Sequence, residues 1–285
     1  MSRIINAHEH AWTTPDAQPW VSDLTPFGVR QLVYDIDNVR EDMTEYGIDQ
    51  TVLIAPPIHG RGSPYTRECL RRYPDEFYGI LLLDYFADDI AARVDAAFSQ
   101  ENVLGFRFGA VMRWGTMWQE RTASADWFTD PELEPFWDAL ERYDTPHVQL
   151  LLEPPQLPAV EELIAAHPNV TFVLDHLADP DPSQHPPDGS PYTQLKSIAG
   201  HSNVYMKITR TPSREPYPFA DIHGHIRNLF DWFGSERLLW GTDWVYHLKE
   251  TTPWETIHFL EELPFVSQSD RRDLQYRTFK RLLPA

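Results

Sequence analysis

The chain has 285 residues, of which 42% are hydrophobic and 13% aromatic, so it can form one large α/β domain or two ordinary ones. Its 24 basic and 43 acidic residues give a formal net charge of −19, which opposes binding to nucleic acid or to anionic lipid. The single cysteine, Cys69, excludes an internal disulfide and indicates a cytoplasmic protein. We find no signal peptide, and no apolar run approaches the roughly 18 residues of a membrane span.

The charged residues are unusual in kind as well as in balance. Four of the 24 basic residues are lysines, and the rest are arginines. A surface with excess acid and few lysines is typical of halophilic proteins, because concentrated salt screens the repulsion between like charges. The composition therefore predicts a high-salt habitat.

Eight short segments along the chain are rich in Val, Ile, Leu and Phe, and most of them are continuous apolar runs. Such runs are typical of parallel strands that are buried on both faces. Helical patterns separate the segments, which predicts one domain over residues 1–285 with the architecture of a (β/α)8 barrel. The predicted strands are residues 3–7, 51–55, 79–83, 103–108, 147–152, 171–175, 204–208 and 238–241.

The helices between these strands have recognisable ends. Gly47 is a good stop for the first helix, Pro74 follows the second, and Gly234 closes the helix before the eighth strand. The predicted helices are residues 38–46, 65–73, 88–98, 131–143, 157–166, 192–199, 222–233, 254–262 and 270–283.

Four long connections follow strands, at residues 12–31, 109–131, 178–191 and 209–221. In a barrel these connections lie at the carboxyl ends of the strands, where active sites are built. Their large side chains suit the wall of a substrate pocket, although a small core beneath the loops would use the same residues. The candidates for this wall are Trp12, Trp20, Met112, Trp114, Met117, Trp118, Trp127 and Phe128.

Two histidines, His8 and His10, stand where the first strand ends. Side chains alternate faces along a strand, so these two are expected to point the same way. Two imidazoles on one face can hold a divalent cation. Alternatively, one ring packs in the core and the other lies in a loop.

Further polar residues stand at the ends of the other strands, and a barrel would bring them to one rim. Asp243 could accept a proton from water, and His176 could polarise a carbonyl or protonate a leaving group. Arg107 offers a planar fork to a substrate carboxylate or carbonyl oxygen. The full set is His8, His10, His59, Asp84, Arg107, Glu153, Asp175, His176, Lys207 and Asp243.

Several of these residues also have structural interpretations. Asp175 is expected to face away from the site, where it caps a turn or pairs with a neighbouring strand. His59 is either a substrate contact or an exposed loop residue, and Lys207 is either a substrate contact or the buried partner of an acid. His147 begins its strand, so we expect it at the opposite rim with a structural role.

Three segments resemble motifs of the amidohydrolase superfamily, in its amidohydrolase-related branch. Residues 6–10, Asn-Ala-His-Glu-His, resemble the Asp-x-His-x-His of strand one, and residues 172–177 are similar to the Asp-His-Leu-Gly region of strand six. Residues 233–244, Phe-Gly-Ser-Glu-Arg-Leu-Leu-Trp-Gly-Thr-Asp-Trp, are similar to the strand-eight motif. The order and spacing fit over nearly the whole chain.

The resemblance implies a distorted (β/α)8 barrel with a site formed by His8, His10, His176 and Asp243. This chain departs from the pattern in two places. Asn6 replaces the usual aspartate of strand one, and strand five ends in Glu153 where metal-dependent members have a histidine. Either Glu153 completes a site with His8, His10 and Asp243 for Zn²⁺ or another divalent cation, or the protein works without metal, as lactonases of this branch can.

The sequence therefore predicts a cytoplasmic hydrolase of a small lactone or related ester, with Asp243 as the general base and His176 assisting. Substrate contacts are assigned to Arg107, His59, Trp12 and Lys207. The alternatives are a metal-dependent decarboxylase of an aromatic or muconate-type acid and a barrel that only binds a ligand. The expected partner is a small-molecule substrate, with neither nucleic acid nor membrane, and a homodimer is compatible with a soluble enzyme.

Overall fold

The structure, a computed structural model, describes residues 3–21, 33–109, 127–247 and 250–283. Eight strands form one sheet in the order of the sequence, and each strand is parallel to the next. The predicted (β/α)8 barrel is confirmed. The strands are β1 (Ile5–Glu9), β2 (Gln50–Ile54), β3 (Phe77–Leu81), β4 (Val103–Gly109), β5 (His147–Leu151), β6 (Thr171–Leu174), β7 (Val204–Ile208) and β8 (Leu238–Trp240).

Helices surround the barrel and agree with the predicted segments in position. The first begins at the N-cap Asp35 and ends at Gly47, whose φ of 69° favours glycine. The helices are α1 (Ile36–Tyr46), α2 (Pro64–Arg72), α3 (Ile90–Phe98), α4 (Glu134–Leu140), α5 (Leu157–Ala166), α6 (Leu195–Ile198), α7 (His223–Phe233), α8 (Pro253–His258), α9 (Gln268–Arg272) and α10 (Thr278–Leu282).

Four of the predicted helices are interrupted. Short 3₁₀ turns precede α4 and α6 and follow α8, and a π-helical segment, Asp273–Arg277, separates α9 from α10. The change of helix type is not visible in the hydrophobic period, because 3₁₀, α and π turns differ by less than one residue on each side of 3.6.

The seam between β1 and β8 closes without a β-ladder among the described strands. The Asp243 amide donates to the His8 carbonyl at 2.9 Å. The amide side chain of Asn6 accepts from the Thr242 backbone at 2.9 Å and donates to its hydroxyl at 2.7 Å. At Gly241 an added Cβ would lie 2.7 Å from the Cβ of His8, so only glycine lets β8 approach β1 this closely.

Two apolar layers leave only the carboxyl rim for polar chemistry. One layer packs the outer face of the sheet against the helices. The other fills the barrel interior with side chains such as Ile5, Val52, Val173 and Leu239, together with Phe279 of α10. Because this inner layer blocks the amino end, polar side chains that point into the barrel gather at the other end.

Candidate active site

The structure brings together the residues that end β1, β6 and β8. The nearest Nε2-to-carboxylate distances to Asp243 are 3.7 Å for His8, 3.6 Å for His10 and 3.9 Å for His176. The Nε2 atoms of His8 and His10 are 3.2 Å apart. All four side chains are buried, with at most 3% of each residue exposed.

A bulge in β1 helps to place His8. The register with β2 shifts between Asn6 and Glu9, so the regular alternation of faces is broken there. Asn6 and Glu9 line a small cavity on the helix side with Thr242, whereas Ala7 joins the apolar layer inside the barrel. His8 and His10 then both reach the rim above that layer.

Asp175 points into the barrel, so the expectation that it faces away is wrong. Its carboxylate lies 2.8 Å from Arg107 Nε and 3.0 Å from Lys207 Nζ. Successive residues of a strand normally face opposite ways, but residues 176–179 all have positive φ and turn the chain immediately after β6. Asp175 and His176 can therefore both point inward.

The charges around Asp175 determine its ionisation. Burial alone would raise the pKa of Asp175, but the neighbouring Lys207 and Arg107 hold it well below its usual range. Burial lowers the pKa of Lys207 to about 8, although Asp175 opposes this shift. Lys207 is fully buried, and its Nζ also lies 2.6 Å from Gln149 Oε1 and 3.0 Å from His8 Nδ1.

A chain of hydroxyl groups connects His176 to Asp243. His176 Nδ1 lies 2.9 Å from Thr209 Oγ1, the Thr209 hydroxyl donates to Thr211 at 3.2 Å, and Thr211 donates to Asp243 Oδ2 at 2.7 Å. Because a hydroxyl has one hydrogen, Thr209 accepts from the His176 Nδ1–H. The Nε2 of His176 therefore carries the lone pair and faces Arg107 Nη2 at 3.5 Å.

Asp243 is ionised and His8, His10 and His176 are neutral at pH 7. Burial would raise the pKa of Asp243, but His176 and the hydrogen bond from His247 hold it well below its usual range. Burial lowers the pKa of His10 to about 3 and that of His176 to about 4. The pKa of His8 falls well below its usual value because of burial and the adjacent Lys207 charge. A carboxylate among neutral imidazoles can accept a proton.

Three predicted site residues have other surroundings. Both ring nitrogens of His59 face backbone groups, the Thr13 amide at 3.1 Å and the Pro19 carbonyl at 3.3 Å, and the ring is buried and not exposed. Trp12 is fully buried and pairs with Tyr34 through its backbone. Glu153 caps the 3₁₀ turn Pro154–Gln156 and belongs to neither group of metal-ligand atoms among the described residues.

Of the aromatic residues predicted to line a pocket, Trp127 and Phe128 are buried, and Trp127 stacks on Tyr85 in the core beneath the loops. Met112, Trp114, Met117 and Trp118 lie outside the described residues. His147 begins β5, is buried, and hydrogen-bonds to the Leu282 carbonyl at 3.1 Å. It lies at the opposite rim, as expected.

Several contacts of the site were not predicted from the sequence. Gln149 could have been predicted as a site residue from the sequence, because a polar residue inside an otherwise apolar strand needs a buried hydrogen-bond partner. Thr209, Thr211 and His247 lie beyond strand ends, and no local pattern distinguishes them. His247 Nε2 is 3.4 Å from Asp243 Oδ2, and its Nδ1 accepts from Arg210 at 2.6 Å.

The site contains candidate metal donors. His8, His10 and Asp243 form one group of ligand atoms within 4.8 Å of one another, and His8, Asp175 and His176 form another. The positions of these ligand atoms suit a tetrahedral cation, but the hydrogens on the histidine rings do not. His10 Nδ1 must donate to the Ile54 carbonyl at 2.7 Å, so in the neutral rings the Nε2 hydrogen between His8 and His10 belongs to His8. As it stands, the arrangement does not fit a metal ion.

Two curated proteins are similar to parts of this chain. The L-fucono-1,5-lactonase of Burkholderia ambifaria is 33% identical over 124 residues, which cover 43% of this chain and 42% of that protein. The 2-pyrone-4,6-dicarboxylate hydrolase of Comamonas testosteroni is 29% identical over 119 residues, which cover 38% of each. Each match thus spans about two fifths of the relative's length.

A crystal structure of an amidohydrolase from Burkholderia multivorans with bound zinc has the same fold, with a TM-score of 0.76 at 20% identity over 98% of each chain. No helix among the described residues is long and apolar enough to cross a membrane. The model of the family described as Amidohydrolase matches residues 5–284. The chain therefore belongs to the amidohydrolase family.

Proposed function

We propose that this amidohydrolase-family enzyme hydrolyses a small lactone that carries hydroxyl or carboxylate groups. One observation carries the proposal: Asp243 is a buried, ionised carboxylate whose Oδ1 accepts no hydrogen bond from the described residues. That oxygen is available to accept a proton from water. The similarity to a lactonase and to a hydrolase of a 2-pyrone, which is a cyclic ester, supports lactones as the substrate class.

In the proposed reaction, the oxygen of a water molecule forms a bond to the lactone carbonyl carbon while Asp243 Oδ1 accepts a proton from that water. The electron pair of the carbonyl moves to its oxygen, where the Arg107 guanidinium stabilises the negative charge. The carbonyl then re-forms, the ring C–O bond breaks, and a proton passes to the departing alkoxide. The product is one hydroxy acid.

The connection between His176 and Asp243 supports a positioning role for His176 in these proton transfers. The proton accepted by Asp243 Oδ1 can return from this carboxyl group directly to the alkoxide, while the hydrogen bonds from His176 through Thr209 and Thr211 to Oδ2 orient Asp243. Arg107 is held for its role by the ion pair with Asp175. No step in this mechanism requires a metal ion.

The alternative decarboxylase requires a firmly held cation, with Glu153 as the ligand that replaces the strand-five histidine. Glu153 belongs to neither ligand group of the described residues, which argues against this alternative. A barrel that only binds a ligand has no need for a buried, ionised carboxylate oxygen that accepts no hydrogen bond from the described residues.

The experiment is a panel of 1,5- and 1,4-aldonolactones and pyrone carboxylates, assayed with a pH indicator after removal of free metal. We expect acid release from at least one lactone at a rate well above that given by an Asp243→Asn control, which also corrects for spontaneous hydrolysis. Absence of acid release across the panel, together with CO₂ release from aromatic acids, would favour the decarboxylase.

We also propose that the protein works in the cytoplasm of a cell with concentrated internal salt. The net charge of −19, the four lysines and the single cysteine support this proposal.

A further inference from the structure

The positions of His8 and His10 would suit a zinc ion. Two imidazole nitrogens on one tetrahedral Zn²⁺ lie about 3.3 Å apart. The Nε2 atoms of His8 and His10 are 3.2 Å apart, and Asp243 Oδ1 lies 3.6 to 3.7 Å from both. Distance alone therefore does not decide whether this pair binds a cation. The position of the hydrogen on each ring then affects binding, because a ring nitrogen must give up its hydrogen before it can ligate.

Lys207 controls the hydrogen of His8. Its ammonium group has three hydrogens and no lone pair. Three acceptors surround Nζ: Gln149 Oε1 at 2.6 Å, His8 Nδ1 at 3.0 Å and Asp175 Oδ1 at 3.0 Å. The ammonium can only donate to His8, so Nδ1 of that ring carries the lone pair and Nε2 carries the hydrogen.

The hydrogen bond of His10 independently gives the same position for the hydrogen of His8. The Ile54 carbonyl can only accept, so His10 Nδ1 carries the hydrogen at a distance of 2.7 Å. In a neutral ring the Nε2 of His10 then has the lone pair and accepts from His8. The hydrogen bonds run in one direction, from Lys207 through His8 and His10 to Ile54.

A zinc-binding histidine normally donates its second ring N–H to a carboxylate or a carbonyl. Asp175 Oδ1 could receive such a bond from His8 Nδ1, but it lies 3.6 Å away, beyond hydrogen-bonding distance, and Lys207 has the nearer position. The carboxylate that would support a zinc site is therefore present, and Lys207 prevents His8 from using it.

We infer that Lys207 selects between two forms of this site: it holds His8 as the Nε2–H tautomer, which makes the His8–His10 pair a hydrogen-bond donor for substrate and opposes metal binding. A substrate carbonyl oxygen can replace His10 as the acceptor of the His8 N–H and then receives a hydrogen bond as negative charge develops on it. Lys207 acts through His8, so it is a positioning residue.

The first test reads the tautomer of the wild-type protein directly. Two-bond ¹H–¹⁵N spectra of metal-stripped, ¹⁵N-histidine-labelled protein show which nitrogen of each ring carries a hydrogen, and the spectrum of His8→Asn assigns the His8 signals. We expect the hydrogen of His8 on Nε2. A hydrogen on Nδ1 would overturn the inference. This measurement requires no variant of Lys207 to fold.

The second test measures zinc affinity by calorimetry with ZnCl₂ and by metal content after dialysis. Lys207→Met removes the donor and leaves Asp175 free to support His8, so we expect zinc to bind at least about tenfold more tightly than to the wild type. A His10→Asn change in each background reports zinc bound elsewhere. A wild-type protein that binds one zinc as tightly as Lys207→Met would contradict the inference.

Two further variants separate the tautomer from charge. The Arg107→Met change also removes one buried cation beside Asp175, but the arginine that it replaces is not the group that donates to His8 Nδ1. The zinc affinity of this variant should therefore stay within about threefold of the wild type. Lys207→Arg keeps a donor and should resemble the wild type. Equal tightening in Arg107→Met and Lys207→Met would assign the effect to charge. None of these measurements uses a lactone. Their results can therefore support or contradict the role of Lys207 whether or not the proposed lactone hydrolysis is correct.

Discussion

The two rims of the barrel each contain a buried histidine with the same ionisation and different neighbours. His147 begins β5 at the amino rim, and His176 follows β6 at the carboxyl rim. Burial lowers the pKa of both to about 4. His147 hydrogen-bonds to the Leu282 carbonyl, and its Nδ1 has no partner in the part of the chain that the structure describes. His176 is connected to Asp243 through two hydroxyl groups.

This comparison shows that a lowered pKa does not by itself identify a catalytic histidine. Burial in apolar surroundings lowers the pKa at either rim. The two histidines differ in the end of the barrel at which they lie. Active-site residues of a barrel gather at the carboxyl ends of the strands, where the loops that follow the strands can hold substrate. At the amino rim, α10 occupies the corresponding position.

The largest expected effect follows from removing the charge at the carboxyl rim. Asp243→Asn should lower kcat for lactone hydrolysis about 10³-fold, because the amide cannot accept the proton of water. The fold should persist, since Asp243 has a φ of 48° and asparagine tolerates this left-handed conformation. Steady-state kinetics and a thermal melt test the prediction. A variant that keeps a tenth of the wild-type kcat would refute the assignment of Asp243 as base.

The next largest effect distinguishes His176 at the carboxyl rim from His147 at the amino rim. His176→Asn should lower kcat about 100-fold with little loss of stability, because it removes the ring that orients Asp243 through Thr209 and Thr211. His147→Asn should change kcat less than about threefold but destabilise the fold by about 1 to 3 kcal/mol, since a buried hydrogen bond and packing are lost. Kinetics and urea unfolding of both variants check this. Equal effects on kcat would remove the distinction between the rims.

A third effect depends on pH and concerns only the amino rim. The pKa of His147 is about 4 in the folded protein, below the value of about 6.5 in the unfolded chain. The unfolded state therefore gains a proton first as the pH falls, and stability is lost between pH 6.5 and pH 4, by at most about 3 kcal/mol from this residue.

The variant His147→Asn should lose less stability than the wild type over this pH range, as measured by urea unfolding at pH 7, 6, 5 and 4. Above pH 7 the difference between the two proteins should not depend on pH, which provides an internal control. Parallel curves over the whole range would show that His147 does not titrate in this way.

Much of the molecule could be predicted because strand ends are visible in the sequence. Parallel strands buried on both faces appear as apolar runs, so all eight were located to within a few residues. His8, His176 and Asp243 follow such runs directly, and closure of the barrel is sufficient to bring them together.

The parts that could not be predicted depend on departures from regular strand geometry. The inward position of Asp175 requires the left-handed turn at residues 176–179, and the placement of His8 requires the bulge in β1. Thr211 reaches Asp243 from a turn after β7, and His247 reaches it from the short 3₁₀ turn Trp244–His247. The direction of the hydrogen bond from Lys207 depends on atoms from three strands, and no local pattern contains that information.

The smallest expected effect concerns the surface and leaves both rims unchanged. Raising KCl from 0.1 M to 2 M should raise the melting temperature by a few degrees, because screening the repulsion of a −19 net charge is worth about 1 kcal/mol or more, and each kcal/mol shifts Tm by about 2 to 4 °C. The ion pairs of Asp175 are fully buried and are screened much less, so kcat should change little in the same series. A melting temperature that does not rise with KCl would contradict adaptation to salt, and a kcat that changes as steeply as stability would mean that solvent ions reach the carboxyl rim.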